Sequence, residues 1–178
     1  MRHIVLTGFM GAGKTAVGRR LAKRLGRPFL DTDQLIEEQS GRTISEIFAE
    51  DGEAGFRRIE RETVAALAPD APSVIATGGG TFVDAANQAR LRELGVVICL
   101  LINIDTVVER TTRNSKRPLA SGGRADLERL FAERLPAYRQ ADVLVETDNL
   151  SIEQSVTRVL SILEPRLKAD SAHEREPA

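Results

Sequence analysis

One cysteine, Cys99, is all the chain carries. No disulfide framework can form, and a reducing compartment is expected. Cys99 lies inside the apolar run Val96 to Ile102 and reads as a buried strand residue rather than a nucleophile. Charge of one sign is missing too. The formal net charge of −1 provides no long-range field favouring nucleic acid or an anionic membrane. Any anion site must therefore be built locally. No apolar stretch is long enough to cross a bilayer. The opening Met1 to Leu6 faintly resembles a signal peptide, but its apolar run is too short and leads straight towards Lys14. No targeting segment is expected, which makes the cytoplasm the expected location. There is no internal repeat and no low-complexity tract. Neither D-x-x-G nor N-K-x-D occurs, which argues against a GTPase-type switch.

What is present is an ordinary soluble composition, 42% apolar and 29% charged over 178 residues, suited to one domain. Apolar runs at His3–Thr7, Pro28–Leu30, Ser73–Thr77, Val96–Ile102 and Val143–Val145 read as strands. Helical periodicity separates them over Lys14–Leu25, Gln34–Gln39, Ile44–Ala49, Glu53–Leu67, Asp84–Leu94, a stretch capped by Asp105 and ending near Thr112, Asp126–Leu135, and a stretch from Ser151 to about Leu163. Short strands without strict alternation, separated by helices, predict a doubly wound α/β domain: a five-stranded parallel sheet covered on both faces. It is expected to span residues 1–167. The polar residues from 168 onward predict a disordered tail.

Such sheets bind ligands at the carboxyl ends of their strands, and the glycine-rich and acidic segments fall there. Gly8-Phe9-Met10-Gly11-Ala12-Gly13-Lys14-Thr15 fits G-x-x-x-x-G-K-[ST] between a strand and a helix. Chance produces this pattern in roughly 1% of chains this long or fewer. The loop's N–H groups, with those of Gly11, Ala12 and Gly13 at its centre and Ala16 just beyond it, would cradle phosphates at a helix N-terminus. Lys14 would bridge the β- and γ-phosphates of a nucleoside triphosphate, and the Thr15 hydroxyl would bind Mg²⁺. Asp31 and Asp33, two apart in expected extended backbone, would point the same way. One would serve the metal. The other would orient the attacking hydroxyl or take its proton, unless it merely caps the next helix. Residues 114–124 have the glycines and basic residues of a lid that excludes water, with Arg117 as an arginine finger. Phe56 beside Arg57, with Glu60 three residues on to brace the guanidinium, would suit a small ring bearing a carboxylate. Gly78-Gly79-Gly80 offers bare backbone N–H groups. An inactive binding module would be expected to have lost Lys14, Asp33 or Arg117, and all three are present.

From about Ile4 to Leu163 these motifs, with Gly52-Glu53, Arg117-Pro118-Leu119 and Glu133-Arg134-Leu135-Pro136-Ala137-Tyr138, resemble the shikimate kinase family in order and spacing. The resemblance implies strand order 2-3-1-4-5, a lid, a monomer, and transfer of the γ-phosphoryl of Mg·ATP to the 3-hydroxyl of shikimate. It implies Asp33 on the shikimate hydroxyls, with Arg57 and Arg134 on the carboxylate and Gly79 and Gly80 adding backbone contacts. Lys14 and Arg117 would face the transferring phosphoryl, with Thr15 and, through water, Asp31 at Mg²⁺. Arg110 would lie over the adenine, with Asp148–Ile152 on its other side. Arg139, which follows Tyr138, is an alternative carboxylate ligand by proximity alone; the family pattern favours Arg134. Ala120 stands where the family usually has leucine. The alternatives are another small-metabolite kinase, such as a gluconate kinase, a nucleoside monophosphate kinase, and a regulatory nucleotide-binding module.

Overall fold

In a computed structural model, which describes residues 2–112 and 123–173, the five strands are β1 (His3–Thr7), β2 (Phe29–Asp31), β3 (Val74–Ala76), β4 (Gly95–Leu101) and β5 (Val143–Glu146). All pair in parallel, in the order β2-β3-β1-β4-β5. The central strands are buried on both faces, with Val5, Leu6, Val97, Ile98 and Cys99 fully enclosed. That explains why their sequences show runs rather than alternation. Burial pushes the Cys99 thiol up to about 12, against the opposing pull of nearby Lys14. Its thiolate is thus suppressed, as a structural cysteine requires.

The helices are α1 (Lys14–Leu25), α2 (Thr32–Ser40), α3 (Ile44–Ala65), α4 (Ala85–Leu94), α5 (Ile104–Thr112), α6 (Gly123–Tyr138) and α7 (Ile152–His173). Helix α1 buries Val17 and Leu21 and shows Arg19, Arg20 and Arg24 to water. It ends at Gly26 in the left-handed conformation that a C-terminal glycine adopts most cheaply. A single carboxylate cross-links its outer face to α7, since Arg20 and Arg24 both pair with Glu153.

Four sequence expectations change. The two helices expected at 44–49 and 53–67 are one element, α3, kinked at Gly52 (φ 69°). Thr43 and Glu46 form a capping box at its start. Asn103, not Asp105, caps α5: its side chain accepts from the Thr106 N–H at 2.8 Å, while Asp105 pairs with Arg124. Helix α6 continues past Leu135 through Pro136 to Tyr138, because a proline within the last turn costs only one backbone bond. Residues 168–173, expected to be a disordered tail, belong to α7. Polar composition misled there, since Leu167, Lys168 and Ala169 all favour helix.

The core is divided. A large cluster fills both faces of the sheet. A separate small one, Ile36, Ile47 and Phe56 with Ile44, Phe48 and Ile59 at its edge, lies between α2 and α3.

Candidate active site

The phosphate loop leaves β1 at Gly8, whose φ of 135° excludes other residues and whose Cβ would stand 2.5 Å from the Leu100 carbonyl. It closes at Gly13 (φ 85°), which places no capping side chain over the first turn of α1. The helix's leading N–H groups therefore remain open to an anion. Lys14 is buried and folds over the loop, its Nζ donating to the Gly8 carbonyl at 2.9 Å and the Phe9 carbonyl at 3.1 Å. Thr15 donates from Oγ1 to Asp31 Oδ2 at 2.8 Å. That brings together the hydroxyl and carboxylate expected at the metal.

The acidic pair is arranged differently from the extended-strand expectation. Helix α2 starts at Thr32, so only Asp31 remains in strand geometry. Asp31 is the N-cap, accepting the Asp33 N–H at 3.1 Å. Asp33 sits in the first helical turn, beside Gly78. The two carboxylates diverge: Asp31 faces Thr15, and Asp33 faces a second cavity.

That cavity, about 300 Å³, lies against Met10 of the phosphate loop and is lined by Asp33, Phe48, Phe56, Arg57, Arg134 and the three glycines. The kink in α3 makes its aromatic wall. Eight residues of straight helix would separate Phe48 from Phe56 by about 12 Å, yet their ring centroids lie 4.7 Å apart. Arg57 stands over the Phe56 ring at 5.1 Å. Its Nη1 donates to Glu60 at 2.8 Å, and its Nη2 reaches Glu53 at 3.2 Å. Burial alone would lower the Arg57 pKa; the Glu60 and Glu53 carboxylates outweigh it and hold it above its ordinary value. Glu60 is itself buried and accepts from Thr81 Oγ1 at 2.6 Å. Arg134, 6% exposed, projects from α6 over the Phe9 ring at 5.9 Å. Arg139 is exposed and lines no part of the cavity.

The triglycine segment is held firmly rather than loose. The Gly78 N–H donates to Thr32 Oγ1 at 3.0 Å, and Tyr138 Oη donates to the Gly79 carbonyl. Any Cβ on Gly78 would stand 2.4 Å from Asp33 Oδ1, and one on Gly80 would stand 2.6 Å from the Arg57 guanidinium.

On the other side of the phosphate loop, a cavity of about 330 Å³ is bounded by Gly11, Ala12, Gly13, Arg110, Leu150 and Ile152. Arg110 Nη1 donates to the Gly11 carbonyl at 2.9 Å, and Nη2 approaches the Asp148 carbonyl at 3.5 Å. Arg110 and the 148–152 segment thus meet beside the loop. Ala16 follows on the first turn of α1. Arg117 and lid residues 114–122 lie outside the described residues. Gly123 and Arg124, the end of the expected lid, open α6, and Arg124 is engaged by Asp105 and Glu128.

Sequence reasoning did not single out Phe48 or Tyr138 as site residues. Phe48 carried a usable signal: Ile44 and Phe48 form an i,i+4 apolar pair on a helix start marked by the capping box. Tyr138 stood in the family motif, but no spacing pointed to its partner, a backbone carbonyl 59 residues away.

A phosphate loop at the sheet's carboxyl edge, flanked by one cavity beside Arg110 and another beside Asp33, defines a P-loop phosphotransferase. Residues 10–164 match the family model for shikimate kinase. A shikimate kinase of Symbiobacterium thermophilum is 47% identical over 92% of this chain and 97% of its own length. The structure of shikimate kinase from Acinetobacter baumannii in complex with shikimate superposes with a TM-score of 0.88 at 37% identity, covering 93% of this chain and 94% of that one. A gluconokinase from Sinorhizobium meliloti, at 19% identity and a TM-score of 0.60 over 98% of both chains, shares the fold alone. The chain belongs to the shikimate kinase family.

Proposed function

We propose that this chain transfers the γ-phosphoryl of ATP to the 3-hydroxyl of shikimate, giving 3-phosphoshikimate and ADP on the route to aromatic amino acids. The carrying observation is the acceptor cavity. It places Asp33 and two guanidiniums around a space of small-ring size, directly across Met10 from the phosphate loop.

In this reading the substrate carboxylate is gripped by Arg134 and Arg57, with Gly79 and Gly80 adding N–H contacts. A bidentate guanidinium suits a carboxylate better than an ammonium does. The ring rests on Phe56 and Phe48. Asp33 orients the attacking hydroxyl, or takes its proton, as it turns to the γ-phosphate. Lys14 exchanges its two loop carbonyls for phosphate oxygens and follows the charge as it moves. Arg117 completes that cation pair from the lid over 114–124. Arg110 and residues 148–152 flank the adenine.

Thr15 and Asp31 fit a magnesium ion as a hard hydroxyl and carboxylate pair. Mg²⁺ takes few protein ligands, and phosphates and water supply the rest. When bound, the ion neutralises charge between the β- and γ-phosphates. We read residues 1–167 as one kinase domain acting as a cytoplasmic monomer, with no nucleic acid or membrane partner. No described helix is long and apolar enough to cross a membrane.

The test is ADP release from the purified protein with Mg·ATP, offering shikimate, quinate, gluconate and AMP in turn. Turnover confined to shikimate is expected. Turnover with gluconate or AMP instead would overturn every acceptor-side role, and no turnover with any of them would leave a nucleotide-binding module.

A further inference from the structure

Tyr138 is the chain's single tyrosine and is 1% exposed. A buried phenol needs a partner, and this one spends its proton on the Gly79 carbonyl. Its ring packs edge-on against Phe9 of the phosphate loop, with centroids 6.4 Å apart, and Phe131 packs against the same Phe9 ring at 5.3 Å. Arg134, one helical turn before Tyr138, lies over Phe9 as well. The last turn of α6 therefore carries two groups aimed at one place: Arg134 into the acceptor cavity, and the Tyr138 hydroxyl onto the backbone that forms the cavity's glycine wall.

The peptide unit makes this contact directional. A trans peptide is planar, with its C=O and N–H opposed. Fixing the Gly79 carbonyl towards Tyr138 fixes the Gly80 N–H to point away from the buried ring. Gly79 and Gly80 carry no side chains that could hold this plane; beside the Tyr138 contact, the Gly80 carbonyl accepts the Val83 N–H at 3.0 Å on the far side of the next residue.

We propose that the Tyr138 hydroxyl is a positioning group for the acid. It locks the Gly79–Gly80 peptide plane to the helix that carries Arg134, so that the loop N–H and the guanidinium meet a carboxylate together. Tyr138 does not touch the substrate. Burial pushes its phenol well above the ordinary range although Arg134 pulls the other way, so it remains a neutral donor throughout the working pH range.

The inference rests on the shikimate reading, and its test separates the two. Tyr138→Phe removes one oxygen and keeps the ring. The expected result is a rise of about 10-fold in KM for shikimate, about 1.4 kcal/mol, with kcat and KM for ATP each within about 2-fold. In an Arg134→Ala background the same change should raise KM little further, because the two groups act as a unit. Phe131→Leu is the control for loosened packing: it disturbs the same ring cluster and spares the hydroxyl. An unchanged shikimate KM in Tyr138→Phe, a parallel rise for ATP, or an equal rise in Phe131→Leu would each overturn the proposal. Should the wild-type protein fail to turn over shikimate, the functional reading fails instead. Shikimate-dependent thermal stabilisation of wild type and Tyr138→Phe reads the same coupling without catalysis.

Discussion

The two sides of the reaction stand on unequal foundations. The phosphate loop grows out of the large core: Gly8 follows β1, α1 buries Val17 and Leu21 against the sheet, and Phe9 and Met10 are themselves buried. The wall opposite stands on three buried side chains, Ile36, Ile47 and Phe56, under a helix broken at Gly52. Regions with few buried contacts open at low free energy, and moving parts are drawn from them. The difference teaches that the phosphate loop is built for fixed geometry and the aromatic wall for adjustment. The glycine loop and α6, tied by Tyr138, form with Met10 of the phosphate loop the stiffer side of the acceptor cavity.

The largest effect should come from the fixed side. Lys14→Ala should lower kcat by about 10³-fold, as loss of a preorganised charge at the transferring group does; ADP release at saturating substrates measures it. Near-normal kcat would break the comparison at its root. Asp33→Asn, from the adjustable side, should lower kcat by about 10²- to 10³-fold while leaving KM for ATP within about 2-fold; an unchanged kcat would remove Asp33 from the chemistry. Next, Arg134→Ala should raise KM for shikimate by about 10- to 100-fold, and exposed Arg139→Ala by less than about 2-fold. The reverse order would place the carboxylate on the wrong arginine. The smallest effect sharpens the contrast between cores. Ile98→Ala in the central strand should cost about 3–5 kcal/mol in urea unfolding, and Ile47→Ala only about 2, since a small cluster collapses more easily into the space left. Hydrogen exchange should show the Ile47→Ala opening confined to residues 32–65. An equal cost at both sites would mean a single continuous core.

Local chemistry made much of this legible in advance. All five strands and the span of α1 follow from residue type and spacing. The Asp31-Thr32-Asp33 segment shows where local reading stops. Both carboxylates were expected to point one way, and the sequence allowed a capping role for one of them. The cap is Asp31 rather than Asp33, so the helix starts one residue after it and turns Asp33 elsewhere. Asn103 and Asp105 present the same ambiguity between neighbouring capping residues, decided by the ion pair that draws Asp105 to Arg124. Contacts with no sequence spacing, such as Thr81 on Glu60 and Tyr138 on Gly79, arise only when distant segments meet. The family pattern separated Arg134 from Arg139, a distinction that local reading had missed.

Gly80 has a consequence for how inhibitors of this site would fare. A side chain added there would first meet the Arg57 guanidinium, at 2.6 Å, and would have to push it off its Glu60 and Glu53 partners. In the proposed reading, the group displaced is one that grips the acid. At Gly78 the obstruction is Asp33 itself. A compound that leans on this strip of backbone therefore faces a surface that single substitutions can reshape only by disarming the enzyme. Escape from such a compound should have to arise elsewhere in the cavity, on the adjustable aromatic wall.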